Sequence, residues 1–402
     1  MNEVDGIAMQ EANERMDAGE LRRRAHNLLD EHWLRQGYTM PNRATYPWQW
    51  LWDSCFHSIV WSELGDERAL TELAQLFRFQ TAQGFVPHMN YHPDPSAARE
   101  FWGRDGASTI TQPPMYGHAI AELATRGMQP AEETVESAVR GLTYLFEHRR
   151  RTPDGLIELC HPWESGCDDS ARWDANLDEP WQRERWRERK HALVAQVSTD
   201  AEGGATHNDD FAVGSVGFCA LVAFNALELD AAVGSTGLVE PAKELVEAIS
   251  GRWSDELTTW VDGGALADSS GRVRTTDAYF ALLVDDKPLR AEAAAAQLID
   301  PLAYGGDCGP AGCHRDESTF DPVTYWRGPA WPQMSYLLWV ALRRMANLAA
   351  ASVVGAGLRS GSIRSGFAEF WHPGTGQGCG AIPQSWATLA VMVDAAAAPD
   401  GH

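Results

Sequence analysis

Tyr46-Pro47-Trp48-Gln49-Trp50-Leu51-Trp52-Asp53-Ser54-Cys55-Phe56-His57-Ser58-Ile59-Val60-Trp61-Ser62-Glu63-Leu64-Gly65 contains the unit from which the whole chain can be read. Its first eight residues crowd four aromatics and one carboxylate together. Phe56, Ile59, Val60 and Leu64 then recur on one helical face, and Gly65 supplies the stop. Asp53 falls near the start of that helix, with indoles on either side. Capping is the competing use of such an aspartate.

The same unit, an aromatic and polar connection feeding a helix, recurs along the chain. A helix over 21–34 precedes it and ends at Gly37. Asp66 opens another, with Leu70, Leu73, Leu76 and Phe77 on one face and Gly84 at its end. A long polar connection over 85–111 carries His88, His92, Trp102, Arg104 and Asp105, and closes in Thr111-Gln112-Pro113-Pro114, a proline-led start for a helix over 115–126. Helices over 133–149, 211–229, 238–253, 275–283 and 288–299 follow, then one from Pro332 to about 348 and a last from Gln384 to 396. The charged stretch 179–190 reads as a solvated helix or a mobile cover. Strand-type alternation is scarce, so the chain is expected to be all-α, one domain over 1–402 with a peripheral segment at 1–20. Long connections alternate with short ones and collect the Trp, Asp, Glu, Gln and Arg clusters. Six helical hairpins in a toroid would bring those clusters to one mouth, a funnel lined by long loops.

Composition narrows the partners. The 56 Asp+Glu against 33 Lys+Arg leave a formal net charge of −23, with three lysines, Lys190, Lys243 and Lys287. Such a field repels nucleic acid and anionic membranes. No run of about eighteen apolar residues occurs, and Met1-Asn2-Glu3-Val4-Asp5 is acidic and not apolar, so a cytoplasmic protein is expected. Seven scattered cysteines describe no disulfide framework. Cys308, Cys313, His314, Asp316 and Glu317 fit no zinc spacing, and neither metal nor cofactor is expected. A homo-oligomer is compatible with this composition.

The chemistry is concentrated in His161-Pro162-Trp163-Glu164-Ser165-Gly166-Cys167-Asp168-Asp169-Ser170-Ala171-Arg172-Trp173. Three carboxylates stand beside two indoles, an arginine and a glycine. Two carboxyls whose surroundings push their pKa values apart suit glycosidic bond cleavage, and flat indoles suit the face of a sugar ring. A solvated acidic loop is the competing reading.

An ordered series of motifs weighs against the solvated loop. Tyr46 with Trp50-Leu51-Trp52-Asp53, Ile110-Thr111-Gln112-Pro113-Pro114, Trp163-Glu164-Ser165-Gly166 with Asp168, Tyr325-Trp326-Arg327-Gly328-Pro329 with Trp331-Pro332, Phe367-Ala368-Glu369 and Gln384-Ser385-Trp386 together resemble glycoside hydrolase family 63, from about residue 40 onward. Within it they most resemble its bacterial glucosylglycerate and mannosylglycerate hydrolases. The resemblance implies an (α/α)6 barrel and an inverting cleavage of a small α-glucoside or α-mannoside. It implies Asp168 as general acid and Glu369 as general base. It further implies a sugar site built from Tyr46, Trp50, Trp52, Asp53, Gln112, Trp163, Glu164, Trp326, Arg327, Trp331 and Gln384, with Gly166 and Gly328 admitting backbone close to the ligand and Tyr325 facing the leaving group. Asp168 is expected to be held protonated by an apolar wall and by Glu164 and Asp169. Glycerate-binding members carry a longer insertion after the acid motif, with an arginine and a tyrosine for the carboxylate. Here 178–197 is short; Arg183, Arg185, Arg187 and Arg189 could reach an anionic aglycone, and a solvated face is the favoured reading.

Two other enzymes stay open at this point. One is a trehalase-like α-disaccharidase; the other is a sugar epimerase or isomerase on a helical barrel, served by His88, His161 or His207. A sugar-binding protein without turnover is the non-enzymatic reading.

Overall fold

The structure, a computed structural model, describes residues 16–264 and 272–395. Most of the 1–20 segment therefore lies outside the described residues, as does the expected end of the last helix at 396. The described chain is mostly helical: α1 (Ala18–His32), α2 (Leu51–Glu63), α3 (Arg68–Leu76), α4 (Tyr116–Thr125), α5 (Glu132–Glu147), α6 (Arg183–Val194), α7 (Val216–Val233), α8 (Val239–Ser250), α9 (Pro288–Ile299), α10 (Pro332–Arg344), α11 (Leu348–Arg364) and α12 (Ala390–Ala395). The segments Thr276–Leu283 and Ser385–Leu389 are 3₁₀ helices.

Two kinds of helix build two layers. α2 buries every residue from Leu51 to Ser62, and α7 every residue from Val216 to Ala226. A helix that is apolar all round belongs inside. α3, α5 and α8 bury only one stripe each and cover the inner helices. Inner contacts run from α2 to α4, α4 to α7, α7 to Thr276–Leu283, onward to α10, then to Ser385–Leu389 and back to α2. α7 has the length and mean hydropathy, 1.7, of a membrane span, yet 67% of it is buried in the protein.

The connections that enter the inner helices at their N-terminal ends are laced together. Among the described residues there are six antiparallel pairs of very short strands. Gln49–Trp50 pairs with Met89–Asn90, Glu158–Leu159 with Val213–Gly214, and Phe370–Trp371 with Gly378–Cys379. Ala330 bridges Trp371. Two residues are too few to show a period of two in sequence, which is why these strands escape a reading of alternation.

Two helices depart from expectation. α11 carries no apolar stripe that periodicity reveals, because Gly355, Gly357 and Gly361 stand at its contacts, Gly355 toward Trp339 and the other two toward Gly309 and Trp371. A Cβ on Gly357 would stand 2.5 Å from the Gly309 nitrogen, and one on Gly361 would stand 2.2 Å from Trp371. Glycine there trades helix propensity for close approach. α6 is not simply solvated: Trp186, Lys190 and Leu193 are buried.

Trp371 is fully buried and its Nε1 donates to the Cys308 carbonyl at 2.6 Å. Gly361→Ala is therefore expected to destabilise the protein by about 1–3 kcal/mol, read as a lower urea midpoint. Gly251→Ala, whose Cβ would meet nothing closer than 3.4 Å, is expected to leave the midpoint nearly unchanged.

Candidate active site

The acid-rich loop is shaped by local rules. After strand Glu158–Leu159, a 3₁₀ turn Pro162–Ser165 is capped by His161, whose Nδ1 accepts from the Trp163 N–H at 3.1 Å. Gly166 ends the turn at φ +74°, and a Cβ there would fall 2.5 Å from the Trp52 ring. The glycine thus makes room for an indole. Gly328 likewise admits protein, since its Cβ would stand 2.5 Å from the Asp321 carbonyl oxygen.

Burial sorts the carboxylates. Glu164, expected at the sugar or beside the acid, is fully enclosed. It accepts two bonds from Arg149, at 3.0 and 2.6 Å, one from the Cys160 N–H at 2.6 Å and one from the Thr111 N–H at 3.1 Å. Its lone pairs are used by protein donors, so it is a structural anchor. Asp169 is paired with Lys190. Asp168 alone of the three stays partly exposed.

Asp168 and Glu369 are joined through two phenols. Tyr46 Oη donates to Glu369 Oε1 at 2.8 Å, and the single proton of Tyr325 Oη can go either to Asp168 Oδ2, at 3.5 Å, or to the Tyr46 oxygen. Glu369 is fixed by the Ala381 N–H, 2.8 Å from Oε2, and Gly380 is small enough to leave room for it. Phe367 and Trp326, both at φ +60°, hold non-glycine backbone in the left-handed region beside Glu369 and Tyr325. Strain of this kind, about 1–3 kcal/mol per residue, gathers at functional sites. Tyr46, Trp163, Tyr325, Glu369 and Lys190 are among the walls of a cavity of about 1000 Å³.

Burial pushes Asp168 up to about 7; Lys190 pulls it down, Asp169 and Glu369 push it further up, and the Tyr325 bond opposes them. Glu164, expected to contribute, does not. Burial also raises Glu369, against the Ala381 and Tyr46 bonds and the positive Arg183. Asp53 sits in the first turn of α2 without capping it, and burial pushes it up to about 7, with His57 opposing and Glu369 adding.

The remaining expected residues lie outside the walls of that cavity. Gln112 and Gln384 are nearly fully buried with each Oε1 unpartnered, and Trp50 Nε1 has no partner either. Buried polar atoms left unpaired are costly, and sugar hydroxyls are the partners that would satisfy them. Trp326 and Trp331 stack on each other at 3.6 Å, with Trp331 also against Phe370, and neither lines the open cavity. Arg327 is spent within the protein: it binds Asp174 through both oxygens, at 2.9 and 2.5 Å, under the Trp181 ring. It braces the acid loop and does not reach out to a hydroxyl. His88 and His161 are buried, and burial lowers both to about 3; His207 bonds Thr206. None of the three is placed as an acid/base group at the cavity. Among the described residues no group of three His, Cys, Asp or Glu is gathered as a metal site, and all seven cysteines are free.

Sequence reasoning missed several supports. Glu72, wholly buried, accepts from His57 Nδ1 at 3.0 Å, and His57 Nε2 meets Ser385 Oγ at 2.6 Å, tying α3 and α2 to the residue after Gln384. Arg149 gave no local sign of its pairing. Lys190 stood out only as one of three lysines. Arg183 and Arg187, for which the sequence favours a solvated face over contact with an anionic aglycone, line the cavity, and neither forms an ion pair among the described residues.

Comparison with known proteins identifies the family. Residues 46–387 match the mannosylglycerate hydrolase MGH1-like glycoside hydrolase domain. A mannosylglycerate hydrolase of Thermus thermophilus is 27% identical over 89% of this chain and 96% of its own length. A glucosylglycerate hydrolase of Mycolicibacterium hassiacum is 29% identical over 86% of this chain and 91% of its own. The crystal structure of the glycoside hydrolase family 63 mannosylglycerate hydrolase from Thermus thermophilus, in complex with Tris and D-glycerate, superposes with a TM-score of 0.79. It is 24% identical and covers 93% of this chain and 100% of that one, a likeness of fold. The chain accordingly belongs to the mannosylglycerate hydrolase MGH1-like glycoside hydrolase domain family, and it is a glycosidase of glycoside hydrolase family 63.

Proposed function

We propose that the protein is an inverting glycosidase that hydrolyses the α-glycosidic bond of a hexosylglycerate, glucosyl or mannosyl, on an (α/α)6 barrel. The closed circuit of inner-helix contacts supports the barrel. The observation that carries the reaction is the pair Asp168 and Glu369, two carboxyls in unlike surroundings, each held by a phenol that lines one cavity.

In this reading Asp168, raised by burial to about 7, keeps its proton near neutrality and gives it to the leaving oxygen. Glu369, held as an acceptor by the Ala381 N–H and Tyr46, takes a proton from water on the opposite face of the ring. An inverting pair stands roughly 6.5–9.5 Å apart to admit that water. Asp53, Gln112, Gln384 and Trp50 offer the polar atoms that the sugar hydroxyls need. Arg183 and Arg187, one helical turn apart and without a carboxylate of their own, provide the positive wall for a glycerate anion that the short 178–197 region otherwise lacks. A trehalase-like reading leaves these two guanidinium groups without a ligand.

Asp168→Asn and Glu369→Gln are each expected to reduce kcat by about 10²–10⁴-fold with unchanged circular dichroism. Near-normal turnover in either removes that residue from the pair. The double substitution Arg183→Ala with Arg187→Ala is expected to raise KM for the hexosylglycerate by about tenfold or more. It should leave KM unchanged for the glycosylglycerol that lacks the carboxylate; equal effects on both would refute a glycerate-reading role.

A further inference from the structure

The loop that carries Asp168 rests on α6 through two contacts one helical turn apart. Trp186 Nε1 donates to the Asp168 carbonyl oxygen at 2.8 Å. Lys190 Nζ donates to Asp169 Oδ1, with the two side chains only 9% and 5% exposed. The Lys190 carbonyl accepts from His161 Nε2 at 2.9 Å, so the same residue also fixes the start of the loop. The ammonium lies between indoles, 5.7 Å from the Trp163 ring and 5.9 Å from that of Trp186. Lys243 and Lys287, by contrast, make exposed pairs with Glu240 and Asp286.

A buried ion pair is a poor device for stability, because desolvation offsets most of the attraction and an apolar pair of the same volume serves as well. Its charge is useful where another titrating group lies nearby. Asp168 is faced by Lys190 from α6, Asp169 and Cys167 from its own loop, Tyr325 from the connection before α10, Tyr46 from the connection before α2, and Glu369 ahead of strand Phe370–Trp371. Lys190 is the one cation among the groups that act on Asp168 most strongly, and Asp169 is the nearest competing anion.

We infer that Lys190 and Asp169 are positioning residues for the general acid, a pair of opposite charges that the Trp186 bond holds at fixed leverage on the Asp168 carboxyl. The inference rests on Asp168 being the acid. One face of α6 then serves both ends of the reaction: Arg183, Arg187 and Lys190 line the cavity, and Trp186 and Lys190 hold the acid loop. A ligand anion gripped by the first group is registered against the proton donor held by the second.

The pH profile of kcat/KM on mannosylglycerate or glucosylglycerate, whichever the wild type cleaves, reads this directly, because it reports the free enzyme's titrating groups. Loss of a neighbouring cation raises a carboxyl's pKa, and loss of a neighbouring anion lowers it. Lys190→Met is therefore expected to move the alkaline limb up by about one pH unit, and Asp169→Asn to move it down by a similar amount. The double variant should return it toward wild type, and Lys190→Arg should leave it in place. A merely structural pair loses rate or stability in both single variants without opposite displacements. Limbs that stay put, or move in the same direction, overturn the inference. Should Lys190→Met not fold, the downward move in Asp169→Asn and the unmoved limb in Lys190→Arg carry the same decision. Asp168→Asn separates the two levels: if it stays active, the acid assignment itself fails. If it is inactive while the limbs of the pair variants do not move, only the role of Lys190 and Asp169 fails.

Discussion

The bidentate pair between Arg149 and Glu164 is the contact on which the site's geometry depends. Both side chains are completely buried, and Glu164 also accepts the Cys160 and Thr111 N–H groups. One carboxylate thus fixes the start of the acid loop, the residue beside Gln112 and the start of the segment that follows α5. Removing one partner of such a pair leaves a buried charge uncompensated, at a cost of about 3–5 kcal/mol. The loop can therefore hold Asp168 against Tyr325, a cavity wall, without being ordered by substrate.

With that anchor set, environment separates residues of the same chemical type. Glu164 is neutralised by arginine, Asp169 by lysine, Asp174 by Arg327, and Asp168 is left with burial as its dominant influence. Glu369 receives two donors and remains the better acceptor. A functional pair of carboxyls needs this divergence. The all-round buried helices α2, α7 and α10 supply rigid starting points for the segments that carry Asp53, Trp331 and their neighbours, and the short strand pairs keep those segments from drifting.

Much of this was legible in the residues and some was not. The unit at 46–65 reads correctly as an aromatic cluster entering a helix, since α2 begins at Leu51 and ends at Glu63, beside Gly65. The loop at 161–173 reads correctly as polar with aromatic neighbours. Which of its carboxylates is left without an ion pair depends on Arg149 and Lys190, which come from outside the loop and leave no mark within it. α6 was misread because eight of its twelve residues are Arg, Glu, Lys or His, and charge suggests solvent. Its buried lysine is intelligible only once Asp169 lies opposite. α11 was missed because glycines stand where a packed helix normally shows leucines; close backbone approach replaces side-chain bulk there. Gly166 and Gly328 likewise have a need for glycine that comes from outside their own motifs, since the atoms that crowd them belong to Trp52 and Asp321.

The account stands on two carboxyls acting from opposite faces of one sugar ring. Proton NMR of the first minutes of hydrolysis of an α-linked hexosylglycerate observes that event directly, through the anomeric proton of the released sugar. The β-anomer is expected to appear first and to mutarotate afterwards; an α-anomer as the initial product would contradict the arrangement.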